Sequence, residues 1–250
     1  MIAYKIASLM SIDAPHTFLA VENDRVGVLS QWFYDYRGEF LHKPGGDIAS
    51  MLIKNFDKLR GTQHNISLLL KVCTLLRRIS KDMSFELLHD PKKYVVKMLV
   101  FDALIGNTDR HQDNWSILYD FAEKTVRFSP VFDNGSSLGF EMHENKEAFK
   151  CVPKALERYV LKGCHHIRKD DYSNRRFQHF ELLRFLCTED NKAKGYMIEA
   201  LDIDLDEVER YLYSLQNFES VSKLSSERIV FIISLLRLRY DRIMSVLDGM

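Results

Sequence analysis

Apolar residues recur along this chain at two spacings, and the points where the spacing changes divide it into elements. Near the start Ile2, Ile6, Leu9 and Met10 share a helical face, and residues 11–15 end that helix. Strand-like runs take over at 16–21 and 26–32, two strands of a hairpin that turns at Glu22-Asn23-Asp24. The second strand enters Trp32-Phe33-Tyr34-Asp35-Tyr36, which reads either as a half-buried strand end or as a hinge on which a flat ligand stacks. Residues 38–46 read as a loop. Its Lys43-Pro44-Gly45-Gly46 lacks the glycine spacing and the following Lys-Ser/Thr of a phosphate-binding loop.

Helical spacing then dominates. Residues 47–59 form a moderate helix and 65–80 a stronger one, with Ile66, Leu69, Leu70, Cys73, Leu76 and Ile79 opposite Lys71, Arg77 and Arg78. Asp90 caps the next helix and Pro91 takes its first position. That helix, 91–105, is apolar almost all round from Val95 onward, the pattern of a helix buried at the centre of a domain. Beyond Gly139 the expected elements are helices at 153–161, 177–187, 192–200, 205–218 and 226–247. The tract 162–176 is basic and reads as a solvated loop, with a docking surface for an acidic substrate or RNA as the other reading. The sum is a mainly α fold with a small β component.

Between the buried helix and the later helices lies the chemistry. The helix ends at Gly106, and Asp109, His111, Asp113 and Asn114 follow within six residues. Short apolar runs at 115–118 and 126–128 make a hairpin, and an acidic loop with Asp133-Asn134-Gly135 comes next. Asp109 and Asn114 stand at the Asp-x-x-x-x-Asn spacing of a kinase catalytic loop, where the Asp accepts the proton of the attacking hydroxyl and the Asn holds magnesium. Asp133 stands where a second acid would hold the metal that bridges the phosphates. Hard oxygen ligands in this number suit Mg²⁺, which keeps several waters. Any one of these residues alone is as well explained by turn chemistry; the order of helix, loop, hairpin and loop gives them weight together. His111 reads as a residue that bonds to the metal loop and orders it, with general base as the alternative. Arg110 faces either phosphate or an acid, and Asp113 faces solvent.

Composition adds limits. The 250 residues carry a formal net charge of +0, so charge does not favour nucleic acid or a membrane surface. Cys73, Cys151, Cys164 and Cys187 form no Cys-x-x-Cys pair and read as reduced thiols. Cys164-His165-His166 with Cys151 matches no common zinc spacing. With no leader pattern in the first residues and no run of about 18 apolar residues, a cytoplasmic protein is expected, without direct nucleic-acid binding.

The runs LIGNTDRHQDNWSIL and FSPVFDNGSSLG resemble the HipA-like serine/threonine kinases, through the Asn-Thr-Asp-x-His-x-x-Asn core and the Pro-x-x-Asp that follows. The phosphatidylinositol kinases share an Asp-Arg-His-x-x-Asn run and are a poorer match. The resemblance implies a protein-kinase-like C-lobe of the HipA type over 37–250, preceded by a remnant of the N-lobe over 1–36. It implies Asp109 as catalytic base with His111 beside it, and Asn114 and Asp133 as magnesium ligands. The hinge around adenine would be Val28, Ser30, Gln31, Trp32 and Phe33, and the cofactors ATP and Mg²⁺. Family members phosphorylate protein hydroxyls, so an aminoacyl-tRNA synthetase or translation factor is the implied acceptor and an antitoxin a possible partner. The family's phosphate-covering loop and ATP-binding lysine lie on strands before the first helix, and Met1 falls at the start of that helix. The expectation is therefore a kinase cut short upstream or completed by a partner. The alternative is an inactive relative that binds nucleotide or a partner. A metal-dependent hydrolase fits poorly, for want of further ligands near Asp133.

Overall fold

The computed structural model describes residues 1–23, 25–34, 40–170, 175–217 and 224–249. Helix α1 (Ile2–Leu9) leads into the hairpin β1 (Thr17–Glu22) and β2 (Arg25–Ser30), paired antiparallel from Thr17↔Ser30 to Glu22↔Arg25. Every residue of β2 is exposed. Asp24 of the expected turn and residues 35 and 36 of the aromatic segment lie outside the described residues, as do residue 218 at the end of the helix expected at 205–218 and residues 171–174 of the basic tract.

Two expectations need correction at the segment that follows. The stretch read as a loop contains strand β3 (Phe40–Pro44), antiparallel to a later strand, β5 (Ser116–Asp120). His42 and Lys43 disguise it, and Pro44 ends it at a sheet edge, where a missing N–H costs no ladder bond. Helix α2 (Gly45–Leu52) begins two residues before the expected Asp47 and stops well short of residue 59. Turns replace its expected end: Asn55 has φ +61°, and the Asp57 carboxylate accepts from the N–H groups of Leu59 and Arg60.

The buried helices match their pattern. Helix α3 (Ile66–Asp82) is capped by Asn65, whose side chain accepts from the N–H of Leu68. A two-residue strand, β4 (Glu86–Leu87), was not expected. Helix α4 (Pro91–Ile105) is capped by Asp90 through the N–H of Lys93 and closed by Gly106 at φ 70°, a left-handed position that glycine occupies without strain. From Val95 to Ile105 every α4 residue but Lys97 is buried, Asp102 among them. Strand β5 and β6 (Thr125–Phe128) form the expected hairpin, and the four-stranded sheet runs β3-β5-β6-β4, with β4 parallel to β6.

The rest is α5 (Pro153–Lys162), β7 (Cys164–Arg168), β8 (Arg176–Gln178), α6 (His179–Glu189), α7 (Ala193–Ala200), α8 (Leu205–Ser214), a 3-10 turn (Leu215–Asn217) and α9 (Ser226–Asp248). Helices α3, α6, α7 and α9 all pack on α4. The basic tract is not a plain solvated loop: β7 and β8 pair antiparallel, and His165, Ile167 and Phe177 turn inward. Histidines count as polar in a pattern, so the alternation of β7 was hidden. No helix among the described residues is long and apolar enough to cross a membrane. The fold is mainly α with a small β component.

Candidate active site

The site is built on the C-terminal end of α4. Buried Asp102, in the last turn, is the anchor. Its carboxylate receives Arg110 in a bidentate pair, Nε to Oδ2 at 3.0 Å and a terminal nitrogen to Oδ1 at 2.8 Å, with both side chains fully buried. The Asn107 side chain donates to the same carboxylate at 2.9 Å, and its own oxygen accepts from the N–H of Asp109 at 3.0 Å, an Asx turn that sets the backbone of the candidate base. Buried His179 binds the Asn107 carbonyl from behind through Nε2 at 2.8 Å.

Arg110 does more than pair with an acid. It also donates to the carbonyl of Asn114 at 2.8 Å, to the carbonyl of Phe132, and to Oδ1 of Asn134 at 2.6 Å. One guanidinium thus ties the loop of Asp109 and Asn114 to the loop of Asp133. Burial alone would lower its proton affinity, but the charge of Asp102 and the bonds to it raise it above the ordinary value. Of the two readings left open for Arg110, the acid-pairing one is observed. The ordering role expected of His111 falls to Arg110 instead: the His111 Nδ1 accepts from the N–H of Asp113, and its ring meets the His166 ring edge-on at 5.8 Å. Two backbone bonds, Thr108 N–H to Ser136 carbonyl and Leu138 N–H to Ile105 carbonyl, hold the loops side by side.

Asn114 is buried, and its amide nitrogen donates to the carbonyl of Asp109 at 2.6 Å. That commitment leaves Oδ1 as the atom available to a cation. Asp133 is exposed and sits at φ +53°, a left-handed conformation that Asp tolerates better than most residues. Asp109 is half-exposed. Among the described residues no cluster of three His, Cys, Asp or Glu could hold a metal. An amide oxygen plus a carboxylate instead fits Mg²⁺, which binds through few protein oxygens and completes its shell with phosphate and water.

The loop is also supported from below by residues that gave no functional signal. Trp115, fully buried, donates from its indole to Nε2 of His64 at 3.0 Å. Burial, with His166 and His111 adding repulsion, pushes His64 down to about 3, so its ring stays neutral and can accept. Gly45 packs so closely that a Cβ would lie 2.3 Å from the Gln112 carbonyl and 2.4 Å from the Trp115 ring; at Gly46 it would lie 2.4 Å from the Asp113 carboxylate. The Gly45-Gly46 pair is therefore a seat for the loop of Asp109 and Asn114, and neither glycine needs a phosphate to explain it.

A cleft of about 280 Å³ opens between the β1–β2 hairpin and the acidic loop, lined by Tyr4, Val28, Ser30, Phe132, Asp133 and Gly135 among others. Val28, Asn134 and Gly135 also line an adjoining cavity of about 540 Å³. Of the proposed hinge residues, Val28 and Ser30 face the cleft. Gln31 uses its N–H on the His16 carbonyl at 2.7 Å, and Trp32 is 62% exposed. Phe33 stacks on Phe132 at 5.2 Å, which couples the hinge to the residue before Asp133. No lysine or arginine lines the smaller cleft among the described residues. Lys5 is turned away, onto Glu207.

A family model described as the HipA-like C-terminal domain matches residues 1–197. The crystal structure of the Helicobacter pylori proinflammatory kinase CtkA aligns with a TM-score of 0.78 at 17% identity, over 99% of this chain and 84% of that one. HipA from Shewanella oneidensis MR-1, solved as a toxin–antitoxin complex with HipB and operator DNA, aligns with a TM-score of 0.60 at 13% identity, over 99% of this chain and 56% of that one. The serine/threonine-protein kinase CtkA of H. pylori strain J99 is 46% identical over 41 residues, which are 16% of this chain and 13% of that protein. This chain therefore spans about half of the HipA chain, and the curated match is a short segment. At these identities the structural matches speak for the fold alone.

Proposed function

We propose that this chain, which belongs to the family of HipA-like C-terminal domains, transfers the γ-phosphoryl group of Mg-ATP to a serine or threonine hydroxyl of a protein. The observation that carries the proposal is the Arg110 clamp. Of its five side-chain hydrogen bonds, two anchor it to Asp102 on α4, one braces Asn114 in its own loop, and two reach Phe132 and Asn134 in the loop of Asp133, in a reaction whose catalysis is mostly positioning and charge stabilisation.

The steps fall to named groups. Val28 and Ser30 receive the adenine side of the nucleotide, with Phe33 packed behind through Phe132. Asn114 Oδ1 and the Asp133 carboxylate would hold magnesium, which would supply positive charge to offset that of the phosphates. Asp109 takes the proton as the acceptor oxygen bonds to Pγ, and the bond from Pγ to the β–γ bridging oxygen breaks with its electron pair leaving on ADP. His111 borders Asp109 and keeps its ring toward His166. The acceptor class suggested by the family, an aminoacyl-tRNA synthetase or translation factor, belongs to the same proposal. So do an antitoxin partner and a cytoplasmic location.

A second reading is favoured by one observation, the lack of a cationic side chain among the described residues of the smaller cleft. On that reading the chain binds nucleotide or a partner without turnover. Calorimetric titration with Mg-ATP separates the outcomes when run beside a phosphate-release assay. The kinase reading expects binding that Asp133→Ala abolishes and turnover in the parent chain. Binding without turnover supports the second reading, and no binding at all defeats both nucleotide readings.

A further inference from the structure

The hairpin β7–β8 has no part in the chemistry above, yet it is folded against the loop that carries the candidate base. His166 of β7 meets His111 at 5.8 Å between ring centroids. Asp109, Arg168 and Arg176 also lie near enough to act on the charge of His166. Alternation along the strands turns His165, Ile167 and Phe177 into the core and leaves half-buried His166 with exposed Arg176 and Gln178 on the outer side.

The register is unusual in charge. Arg168 and Arg176 are directly opposite each other across the pair. Like charges in that position destabilise a hairpin. Neighbouring Arg175 is held by Glu181, both of whose carboxylate oxygens accept from one terminal guanidinium nitrogen. For Arg176 no ion pair or side-chain hydrogen bond occurs among the described residues. A chain with zero formal net charge thus concentrates cations near Asp109 and leaves Arg176 available. Asp109 is the counter-charge near His166, and a general base cannot also be its permanent partner.

The geometry points to the outer face of β7–β8 as the seat of the acceptor segment, with Arg176 and His166 receiving an acidic side chain close to the hydroxyl that is phosphorylated. Calling that segment an acceptor rests on the kinase reading; the binding it predicts does not. An acidic flank needs such a seat, because Asp109 and the nucleotide phosphates would otherwise repel it.

The test uses the full chain and two labelled serine peptides of one composition class, one flanked by Asp and Glu, the other by Lys. Fluorescence anisotropy should give binding of the acidic peptide tighter by roughly tenfold or more, the size of a charge-assisted contact. Arg176→Glu should erase or invert that preference, and His166→Gln should weaken it by a smaller factor. Circular dichroism of each variant checks folding, and Arg176→Gln is the milder variant that should halve or better the discrimination if Arg176→Glu unfolds. Equal binding of the two peptides overturns the inference, as does a preference that Arg176→Glu leaves intact. So does a single-stranded RNA oligomer that binds in place of the acidic peptide and is lost in the same variant. A raised KM for ATP in Arg176→Glu with peptide preference unchanged would give Arg176 to the nucleotide phosphates instead. Acidic preference without phosphate transfer removes the kinase reading and keeps this site; transfer without acidic preference does the reverse.

Discussion

Replacing Asp102 with Ala should strand Arg110 in the core, and the structure allows the cost to be worked out. The change removes two of the five hydrogen bonds made by the guanidinium and the bond from Asn107. Both partners are fully buried, so water cannot take over. Removing one member of such a pair costs about 3–5 kcal/mol, because the other charge is left uncompensated. A domain is stable by only about 5–15 kcal/mol, and in one of this size each kcal/mol moves Tm by about 2–4 °C. The expected fall is therefore about 6–20 °C, read by scanning fluorimetry and checked by urea unfolding. Arg110→Ala should cost a similar amount and also untie the two loops. The double variant should be less damaged than the sum of the singles by about 1–3 kcal/mol, since the two changes share one interaction. Additive effects, or a fall of less than about 2 °C in Asp102→Ala, would refute the claim that this pair holds the site together.

Three further outcomes follow from the same geometry. His64 and His165 are fully buried and pushed down to about 3, by burial first, then by His166 and His111 around His64 and by Arg110 and Arg239 around His165. Unfolded they titrate near 6.5, so below that pH the unfolded chain binds more protons and stability falls as pH drops; at pH 5.5 the loss should be about 1.4 kcal/mol for each. A Tm flat between pH 7.5 and 5.5 would contradict this, and His165→Leu should flatten the slope in part. Gly45→Ala should lower stability by about 1–3 kcal/mol through overpacking on Gln112 and Trp115, measured by urea unfolding; an unchanged midpoint would mean the loop has room to move. His64→Leu leaves the Trp115 indole N–H buried without its acceptor and should cost about 1–3 kcal/mol, with a shift in tryptophan fluorescence as a second readout.

The parts legible in the sequence were those where one local signal sufficed. Helix α4 announces itself through Asp90-Pro91 at one end, Gly106 at the other and apolar residues all round between them. The loop of Asp109 and Asn114 was legible because its spacing is short and its flanks are regular. Strand β3 was not, because its hydrogen bonds come from β5, more than seventy residues later, and its own residues alternate poorly. Strand β7 was hidden by His165, a polar residue in a core position whose ring nitrogens find no hydrogen-bond partner among the described residues. The clamp was half legible: Arg110 was a candidate for an acid, but nothing local says that the acid is Asp102 on the preceding helix, or that the same guanidinium reaches Phe132 and Asn134. Glycines 45 and 46 looked like a failed phosphate loop because their purpose lies in the space they leave for Gln112, Asp113 and Trp115.

The central claim concerns Asp109, and it is tested most directly by the rate of γ-phosphate transfer from Mg-ATP to a serine-containing protein acceptor, in the parent chain and in Asp109→Asn. The substitution preserves shape and removes the base. Loss of general-base catalysis should slow transfer by about 10²–10⁴-fold while nucleotide affinity stays within a small factor. Transfer at the same rate in both proteins would contradict the account, whether that common rate is high or indistinguishable from background.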